Sequence, residues 1–345
     1  MVIAVDTGNR FIKTAHATPF SAGLNRHYDT KPFISTDTLY YKGQYYTYSE
    51  TQGDHRRDKS VDDYYFLLTL AAIAREIVMK TAEEKAGPGA TVDFQTAMRA
   101  ARRAKNPYKE EIVLAVGLPP RDMVMADKIE GKSLAQRYKD YFLRDGRNLS
   151  FEYNDIPFEI TISQILISAQ GFAAIFPNDL FAKVTRYPQA YIIDIGGYTT
   201  DIALVANRRI DLQFYLSLDY GVIYLYKVVA DAVQKRHGKD INGILTEAIL
   251  RGESIGDTAV ENTVREVTNE YAKNLVAALR DRKIDLELSL PVLVGGGAQL
   301  MRDQLISAIG RKDILVVDDI RANAIGYEVF ANRVLKEQQK SSIQK

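Results

Sequence analysis

The chain contains no cysteine and no tryptophan, and its formal net charge is only +1 over 345 residues. The absence of cysteine excludes disulfide bonds and thiolate zinc sites. The near-neutral charge predicts no general attraction to nucleic acid or to an anionic membrane surface. No apolar run approaches the ~20 residues that a membrane-spanning helix needs, and the opening residues MVIAVDTG predict a strand rather than a secretory signal. We therefore expect a cytoplasmic protein that makes no membrane contact.

Several common phosphate-binding and catalytic motifs are also absent. The sequence holds no G-x-x-x-x-G-K-[ST] loop, no G-x-G-x-x-G run after a predicted strand and no G-x-S-x-G nucleophile elbow. The four histidines (His16, His27, His55 and His237) show no metal-ligand spacing. We therefore interpret the histidines as surface or core residues, and any phosphate site must be built differently.

Strands and helices are mixed along the whole chain, which is typical of α/β architecture, and the length suggests two domains of ~100–200 residues each. The predicted strands are 2–5, a hairpin within 28–50 that turns at Lys42-Gly43, 111–118, strand-like alternation over 147–167, two within 191–205, 210–218, and one in DILVVDD before the closing helix. The predicted helices are 61–86, 91–105, 122–139, a start at 170–176, 221–236, 241–250, 257–281 and a closing helix that begins near Arg321.

Two short segments of the chain repeat each other. Asp6-Thr7-Gly8 follows the apolar run VIAV, and Asp194-Ile195-Gly196 follows YII; seven residues after each aspartate stand Lys13 and Asp201, respectively. A glycine turn lets backbone N–H groups approach an anion closely. An aspartate beside such a turn suits a Mg²⁺ ion bound through water. The repeat therefore predicts two facing turns that hold one polyphosphate, with Lys13 adding a positive charge.

A third glycine motif follows the predicted strand PVLV. Gly295, Gly296 and Gly297 lead directly into a helix. Three glycines in this position allow a flat or bulky ligand to approach the backbone and the N-terminus of the helix. Each turn alone is equally well explained as an ordinary connection, but the three together in this order favour a nucleotide site.

These motifs resemble those of the superfamily that contains actin, the heat-shock 70 ATPase and the sugar kinases. AVDTGNRFIK is similar to its first phosphate loop, IIDIGGYTTDI to its second, VLVGGGAQLM to its adenosine motif and RANAIGY to its second connecting helix. The order matches from one end of the chain to the other. Within the superfamily, VGLPP, GGGAQL and ANAIGY are most similar to the ParM-type actins, which segregate plasmids in bacteria.

The resemblance implies a duplicated, actin-like (ribonuclease H-like) fold with the nucleotide in a cleft between domain I (1–165, with helix 326–345 returning to it) and domain II (166–325). It also implies a role for individual residues. Asp6 and Asp194 would hold Mg²⁺ through its water shell, and Gln170 would orient the attacking water, although many ParM-type sequences carry a glutamate there. The expected phosphate contacts are Thr7, Gly8, Asn9 and Lys13 on one side and Gly196, Gly197, Tyr198 and Thr199 on the other; the expected adenine and α-phosphate contacts are Gly295, Gly296, Gly297 and Met301; and the ribose candidates are Asp231, Lys235 and Asn242.

The function implied by the resemblance is an ATPase whose Mg·ATP-bound form assembles into filaments and moves plasmid DNA, with the choice between ATP and GTP left open. A ParR-type adaptor bound to a centromere-like site would connect the filament to the DNA, so no direct nucleic-acid contact is expected. Two alternatives remain open at this point. One is a small-molecule kinase of the same superfamily that does not polymerise, and the other is a structural actin-like scaffold that positions a phage or an organelle.

Overall fold

The computed structural model describes residues 1–25, 28–33, 37–49, 58–119 and 132–343. The chain forms two compact units. The first comprises Met1–Phe176 together with Asn323–Lys345, and the second comprises Pro177–Ala322. The change of unit after Phe176 lies beyond the boundary at 165 that the sequence suggested, because strand β9 (Ile156–Ala169) continues the first unit's sheet.

The first unit is built around a sheet whose described strands follow the order β3-β2-β1-β7-β9-β8-β5-β6-β4. The strands are β1 (Val2–Thr7), β2 (Phe11–Thr14), β3 (Phe20–Ser21), β4 (Gly23–Leu24), β5 (Thr38–Tyr41), β6 (Gln44–Ser49), β7 (Tyr108–Leu118), β8 (Asn148–Tyr153) and β9. The helices are α1 (Tyr64–Ala86), α2 (Phe94–Ala104), α3 (Leu134–Phe142) and α10 (Ala322–Ile343), with a 3-10 turn at Ala173–Ile175.

The second unit contains a five-stranded sheet in the order β12-β11-β10-β13-β14. Its strands are β10 (Gln189–Ile195), β11 (Thr200–Ala206), β12 (Arg209–Leu218), β13 (Leu290–Val294) and β14 (Leu315–Val316). Its helices are α4 (Leu180–Val184), α5 (Val222–His237), α6 (Gly243–Leu250), α7 (Thr258–Asp281), α8 (Gly296–Leu300) and α9 (Arg302–Ile309), preceded by a 3-10 turn at Pro177–Asp179.

The two sheets share one connectivity, so the internal repeat of the sequence is also a repeat of the fold. In each unit three antiparallel strands form a meander (β1-β2-β3 and β10-β11-β12), and the first strand of the meander pairs in parallel with a later strand, β7 or β13. Strand β13 (LPVLV) and the second half of β7 (IVLAV) are apolar, which is expected for central parallel strands that are covered on both faces. This confirms the predicted duplicated α/β fold.

Helix α1 shows how local sequence sets an element and its place in the core. Residues Tyr65 to Met79 are all buried, because the run YFLLTLAAIA is apolar on every side of the helix. Gly87, with φ +84°, ends the helix, and its backbone N–H donates a hydrogen bond to the carbonyl oxygen of Glu83. The C-terminal helix α10 packs Tyr327 and Ala331 against Val2, Ala4 and Ala115 of the sheet.

Most predicted elements are confirmed, with shifted ends. The hairpin turns at Lys42 and Gly43, which both have positive φ, and joins β5 to β6. The helix predicted at 170–176 is wrong: Gln170 lies in a turn, and Ala173–Ile175 is a single 3-10 turn. Part of the helix predicted at 122–139 falls outside the described residues, and α3 covers the end of that range. No helix among the described residues is both long and apolar enough to span a bilayer.

Candidate nucleotide site

The two repeated aspartates occupy equivalent positions in the two sheets. Asp6 lies near the end of β1 and pairs across the hairpin with Lys13, and Asp194 lies near the end of β10 and pairs with Asp201. Both aspartates are buried, with 3% and 7% of their surface exposed. A buried carboxylate at the end of a central strand is costly unless a cation or hydrogen bonds stabilise it. This shared placement marks one edge in each unit as a candidate ligand-binding edge.

The turn after β1, residues Thr7 to Arg10, is shaped by its own backbone. A side chain at Gly8 would place its Cβ 2.6 Å from the carbonyl oxygen of Phe11, so glycine is required for the turn to close. The Lys13 ammonium group donates a hydrogen bond to Asp6 Oδ2 at 3.1 Å. This hydrogen bond holds Lys13 at the turn.

Three residues beside this turn were not predicted from the sequence. Lys59 donates to the carbonyl oxygen of Thr7, and the hydroxyls of Tyr138 and Thr7 share a hydrogen bond of 3.1 Å. Tyr65 donates to Asn9 Oδ1 at 2.6 Å. Tyr65 and Tyr138 are 1% exposed and come from α1 and α3. They lie 56 and 131 positions from their partners, so no local motif signals them.

The structure brings Gln170 to the same edge of the first sheet as Asp6. Strands β1, β7 and β9 run parallel, with Val5 opposite Val116 and Leu118 opposite Ala169. Gln170 follows Ala169 directly and donates its backbone N–H to Leu118 O at 2.8 Å. Because β7 lies between β1 and β9, the two residues are separated by about 10 Å across the sheet. Gln170 thus stands at a strand end, rather than at the predicted start of a helix.

The turn of the second unit, Gly196 to Thr199, packs against the beginning of α5. Gly196 donates to the carbonyl oxygen of Thr199 at 2.8 Å, which closes the turn. The N–H groups of Val222 and Ile223 donate to the carbonyl oxygens of Gly196 and Gly197, at 3.1 and 2.8 Å. Tyr198 and Thr199 are partly exposed beside these glycines. The turn is therefore closed and held against the beginning of α5.

The third glycine motif lies against Asp194. Strand β13 pairs with β10 so that Val294 is opposite Asp194, and Gly295 follows immediately. A Cβ at Gly295 would lie 2.5 Å from Asp194 Oδ1 and 2.6 Å from Ile195 O, and its φ is +92°. Gly296 is exposed, and a Cβ there would meet no atom within 4 Å, whereas Gly297 is buried against Ile195. The motif therefore combines one tightly packed glycine with one that faces open space.

Other predicted contacts are placed less favourably. Met301 is fully buried in the second unit's core cluster, so its predicted role as an adenine contact is replaced by a core role. Asn242 uses its side-chain oxygen as the N-cap of α6, accepting from Leu245 N at 3.0 Å. Asp231 and Lys235 are exposed on α5. The structure therefore does not assign a ribose contact to Asp231, Lys235 or Asn242.

The residues at each of these edges have the chemistry to bind phosphate or Mg²⁺. Asp6 and Asp194 offer carboxylate oxygens, the ligand type that Mg²⁺ prefers, and it often binds such groups through its own waters. The glycine turns admit close backbone approach by an anion. Gly296 leaves open surface directly beyond Asp194. Each unit therefore presents an aspartate with a glycine turn, which is the donor set that phosphate and a hard cation require.

Comparison with known proteins shows which folds this chain resembles. A family model described as archaeal actin homologue MreB-like, C-terminal, matches residues 192–307. That range contains the second turn, helix α5 and the third glycine motif. No curated protein sequence matches the chain.

Solved structures resemble the chain over nearly its whole length. The apo psk41 ParM protein is 14% identical, with a TM-score of 0.64 over 100% of this chain and 99% of that one. The archaeal actin homologue Ta0583, in complex with ADP, is 16% identical, with a TM-score of 0.65 over 96% and 99%. A 15-stranded ParM filament from Clostridium botulinum is 18% identical, with a TM-score of 0.63 over 96% and 99%.

These similarities define the class of protein. The chain has the actin-like two-domain fold. The solved structures that share this fold include ParM proteins and an archaeal actin homologue, so the ParM-type resemblance of the sequence motifs is matched in three dimensions.

Proposed function

We propose that the protein is an actin-like ATPase that assembles into filaments when it binds Mg·ATP and that segregates plasmid DNA through a DNA-binding adaptor. The observation that supports this most strongly is the repeated arrangement of Asp6 and Asp194. Each is buried at the end of a central strand, each precedes a glycine turn, and each faces its hairpin partner in the same register. A hairpin that binds no ligand would not require a buried carboxylate at the end of its first strand in both units.

The roles of the chain's own groups follow from their chemistry. The turns at Gly8 and Gly196 bind phosphate oxygens through backbone N–H groups. Lys13 contributes a positive charge to the phosphates and is kept at the first turn by its hydrogen bond to Asp6. The exposed backbone at Gly296 receives the adenosine portion, where any larger side chain would compete with the ligand.

Hydrolysis requires an oriented water and stabilisation of charge on the phosphoryl group. Asp6 and Asp194 would hold Mg²⁺, which, when bound, supplies neutralising charge to the phosphates. The Gln170 amide cannot remove a proton, but it can hold a water in line with the terminal phosphorus. Its position at a strand end on the Asp6 edge of the first sheet is compatible with that role.

The direct experiment combines light scattering with phosphate release after Mg·ATP is added to purified protein. A rise in scattering followed by phosphate release supports a polymerising ATPase. Phosphate release without scattering across a wide concentration range would instead indicate a kinase or another member that does not form filaments. Repeating the measurement with GTP establishes which base is preferred.

A matched pair of variants tests the magnesium assignment. Asp194→Asn keeps the size of the side chain but removes its charge, and we expect hydrolysis to fall at least 100-fold (~3 kcal/mol of lost transition-state stabilisation). Asp211→Asn alters an aspartate at the start of β12, whose side chain only accepts from Gln213 N and Phe214 N. The control should retain near-parental turnover. Equal turnover in both variants would contradict the role of Asp194.

The plasmid function needs a separate test, because filament formation alone is compatible with a structural scaffold. The adaptor is expected to be a small DNA-binding protein of the ParR type. Filaments that capture and separate DNA-coated beads only when the adaptor and its DNA site are both present would support segregation. Filaments that ignore the adaptor–DNA complex would favour the scaffold function.

A further inference from the structure

An anion-binding turn faces a problem of selectivity. Phosphate oxygens only accept hydrogen bonds, so a turn binds them through donors, whereas each carbonyl or amide oxygen that faces the ligand repels it. Every backbone residue carries both kinds of group. A turn therefore becomes selective for anions when its own acceptors are already bonded to donors that come from elsewhere in the fold.

The first turn shows this arrangement at three acceptors. The Thr7 carbonyl oxygen receives a hydrogen bond from Lys59. The Thr7 hydroxyl shares a hydrogen bond of 3.1 Å with Tyr138, and Asn9 Oδ1 receives one of 2.6 Å from Tyr65. The three partner side chains come from outside the turn, and Lys59 Nζ also lies 5.2 Å from the centre of the Tyr65 ring. We call Lys59, Tyr65 and Tyr138 together the brace.

The bond from Tyr65 fixes the chemistry that Asn9 can offer. An amide has an acceptor oxygen and a donor nitrogen on opposite sides of one carbon. With Oδ1 bonded to Tyr65, the NH₂ group is the part of the amide that remains for a ligand. The reverse orientation would direct an oxygen at the phosphate. Tyr65 thereby makes Asn9 a donor.

Tyr138 acts in the same sense on Thr7. Burial raises the pKa of Tyr138 to about 12, so its hydroxyl is protonated at all physiological pH values and can donate. When Tyr138 donates to the Thr7 oxygen, the Thr7 hydroxyl hydrogen is available to an anion. Either hydroxyl of the Tyr138–Thr7 pair can be the donor. In the arrangement in which Tyr138 donates, the two tyrosines, which come from two different helices, leave both side chains of the turn to act as donors.

The second unit satisfies the same requirement with backbone groups. The carbonyl oxygens of Gly196 and Gly197 are bonded to the N–H groups of Val222 and Ile223, and that of Thr199 is bonded to Gly196 N. Helix α5 thus supplies in this turn what the brace supplies in the first. The recurrence of the arrangement in both units argues that it belongs to ligand binding and not to the packing of one helix.

We propose that Tyr65 and Tyr138, with Lys59, are positioning residues that set the phosphate selectivity of the first turn by occupying its acceptors. The inference rests on the proposed nucleotide-binding function and adds to it the residues that make the turn specific for the phosphate chain. None of the three needs to touch the nucleotide. Their effect should grow with the number of phosphates on the ligand.

The test measures the affinities of ATP, ADP, AMP and inorganic tripolyphosphate for the parent protein and for Tyr65→Phe. Removal of the hydroxyl frees the Asn9 amide to turn its oxygen to the ligand, and we expect ATP and tripolyphosphate to bind about 5- to 20-fold more weakly. AMP should change less than 2-fold, because the first turn is expected to contact the outer phosphates. Tyr138→Phe should show the same gradient, which keeps the test valid if one variant folds poorly.

Tyr141→Phe is the matched control. It removes a buried hydroxyl from the same helix as Tyr138, but within the described residues that hydroxyl bonds to backbone groups near the start of α1, accepting from Phe66 N at 2.6 Å and donating to Asp62 O at 2.8 Å. It should lower stability without changing the ratio of ATP to AMP affinity. A purely structural role of Tyr65 would lower stability in the same way and leave that ratio unchanged.

The possible outcomes separate the two proposals. If the parent binds ATP and Tyr65→Phe shows the same ATP-to-AMP ratio as Tyr141→Phe, the brace is refuted while the nucleotide site stands. If the parent binds neither ATP nor tripolyphosphate, the proposed function fails and the brace fails with it. If tripolyphosphate binds and weakens in Tyr65→Phe although ATP does not bind, the brace is supported and the nucleotide function is refuted.

Discussion

Gly295 offers the sharpest test of how the second unit holds Asp194. Its backbone (φ +92°, ψ 165°) lies in a region that is nearly restricted to glycine, and a residue with a side chain there costs about 1–3 kcal/mol. In Gly295→Ala the new Cβ would also lie 2.5 Å from Asp194 Oδ1 and 2.6 Å from Ile195 O. Relief of such overpacking costs about 1–3 kcal/mol more. We therefore expect a loss of roughly 2–6 kcal/mol in the free energy of unfolding.

Two further glycines separate the contributions. Gly310 also has a positive φ, +73°, but a Cβ there meets nothing within 4 Å, so Gly310→Ala should cost only about 1 kcal/mol. Gly296 has neither a positive φ nor a neighbour within 4 Å. Gly296→Ala should leave stability unchanged or slightly increased, since alanine favours the helix, but it should weaken nucleotide binding if the adenosine lies there.

The assay is urea unfolding of each variant without nucleotide, followed by nucleotide titration. For a urea dependence of about 2 kcal/mol per molar, Gly295→Ala should move the unfolding midpoint of the second unit down by roughly 1–3 M, and Gly310→Ala by about 0.5 M. Equal midpoints for these two variants would refute the argument that Gly295 is packed against Asp194. Normal nucleotide affinity in Gly296→Ala would show that the third glycine motif does not contact the nucleotide.

Three other predictions follow from contacts in the first unit. The pKa of His16 is raised by its hydrogen bond to Glu328 and by nearby carboxylates, and His16 also bonds to Glu83 at 2.6 Å. The stability that His16 contributes should be complete below about pH 6.5 and lost as the pH rises through the raised pKa. The urea midpoints of the parent and of His16→Gln should therefore converge at high pH, and a constant gap between them would contradict this. Gln170→Ala should slow phosphate release while nucleotide affinity stays within about 2-fold, and filaments that turn over as fast as the parent's would exclude a water-orienting role. Gly326→Ala should destabilise the first unit by several kcal/mol (at least ~2), because the new Cβ would collide with a backbone carbonyl of the 3-10 turn; an unchanged melting temperature would show that α10 can shift at no cost.

The parts of the site that the sequence reveals are those coded locally. An apolar run of four or five residues followed by Asp-x-Gly predicts a strand that ends in a tight turn, and both Asp6 and Asp194 are found at such ends. Gly295 and Gly297 of the third motif are equally readable, because a positive φ at the first and a close approach at both leave few alternatives to glycine. Parallel pairing then brings Gly295 to Asp194, since neighbouring parallel strands end at the same edge.

The errors and omissions have a common physical cause. Met301 looks like a ligand contact when it is read as part of a motif, but its burial depends on helices that arrive from elsewhere in the second unit. Gln170 looks like a helix start, although Gly171, with φ +77°, and the bond from Gly171 N to Asn323 Oδ1 hold a turn there. Tyr65 and Tyr138 are invisible because their partners are fixed by the packing of α1 and α3. In each case a long-range contact overrides the local pattern.

The two turns solve one electrostatic problem by different means, and the difference has a consequence for how the site can vary. In the second unit the acceptors are bonded to backbone N–H groups of α5, so substitution of Val222 or Ile223 leaves those donors in place. In the first unit the hydrogen-bond partners of the turn are the side chains of Tyr65, Tyr138 and Lys59, which single substitutions can remove. Affinity for the phosphate chain should therefore be far more sensitive to side-chain changes around the first turn than around the second. Single side-chain substitutions can therefore adjust the selectivity for phosphate in the first unit more readily than in the second.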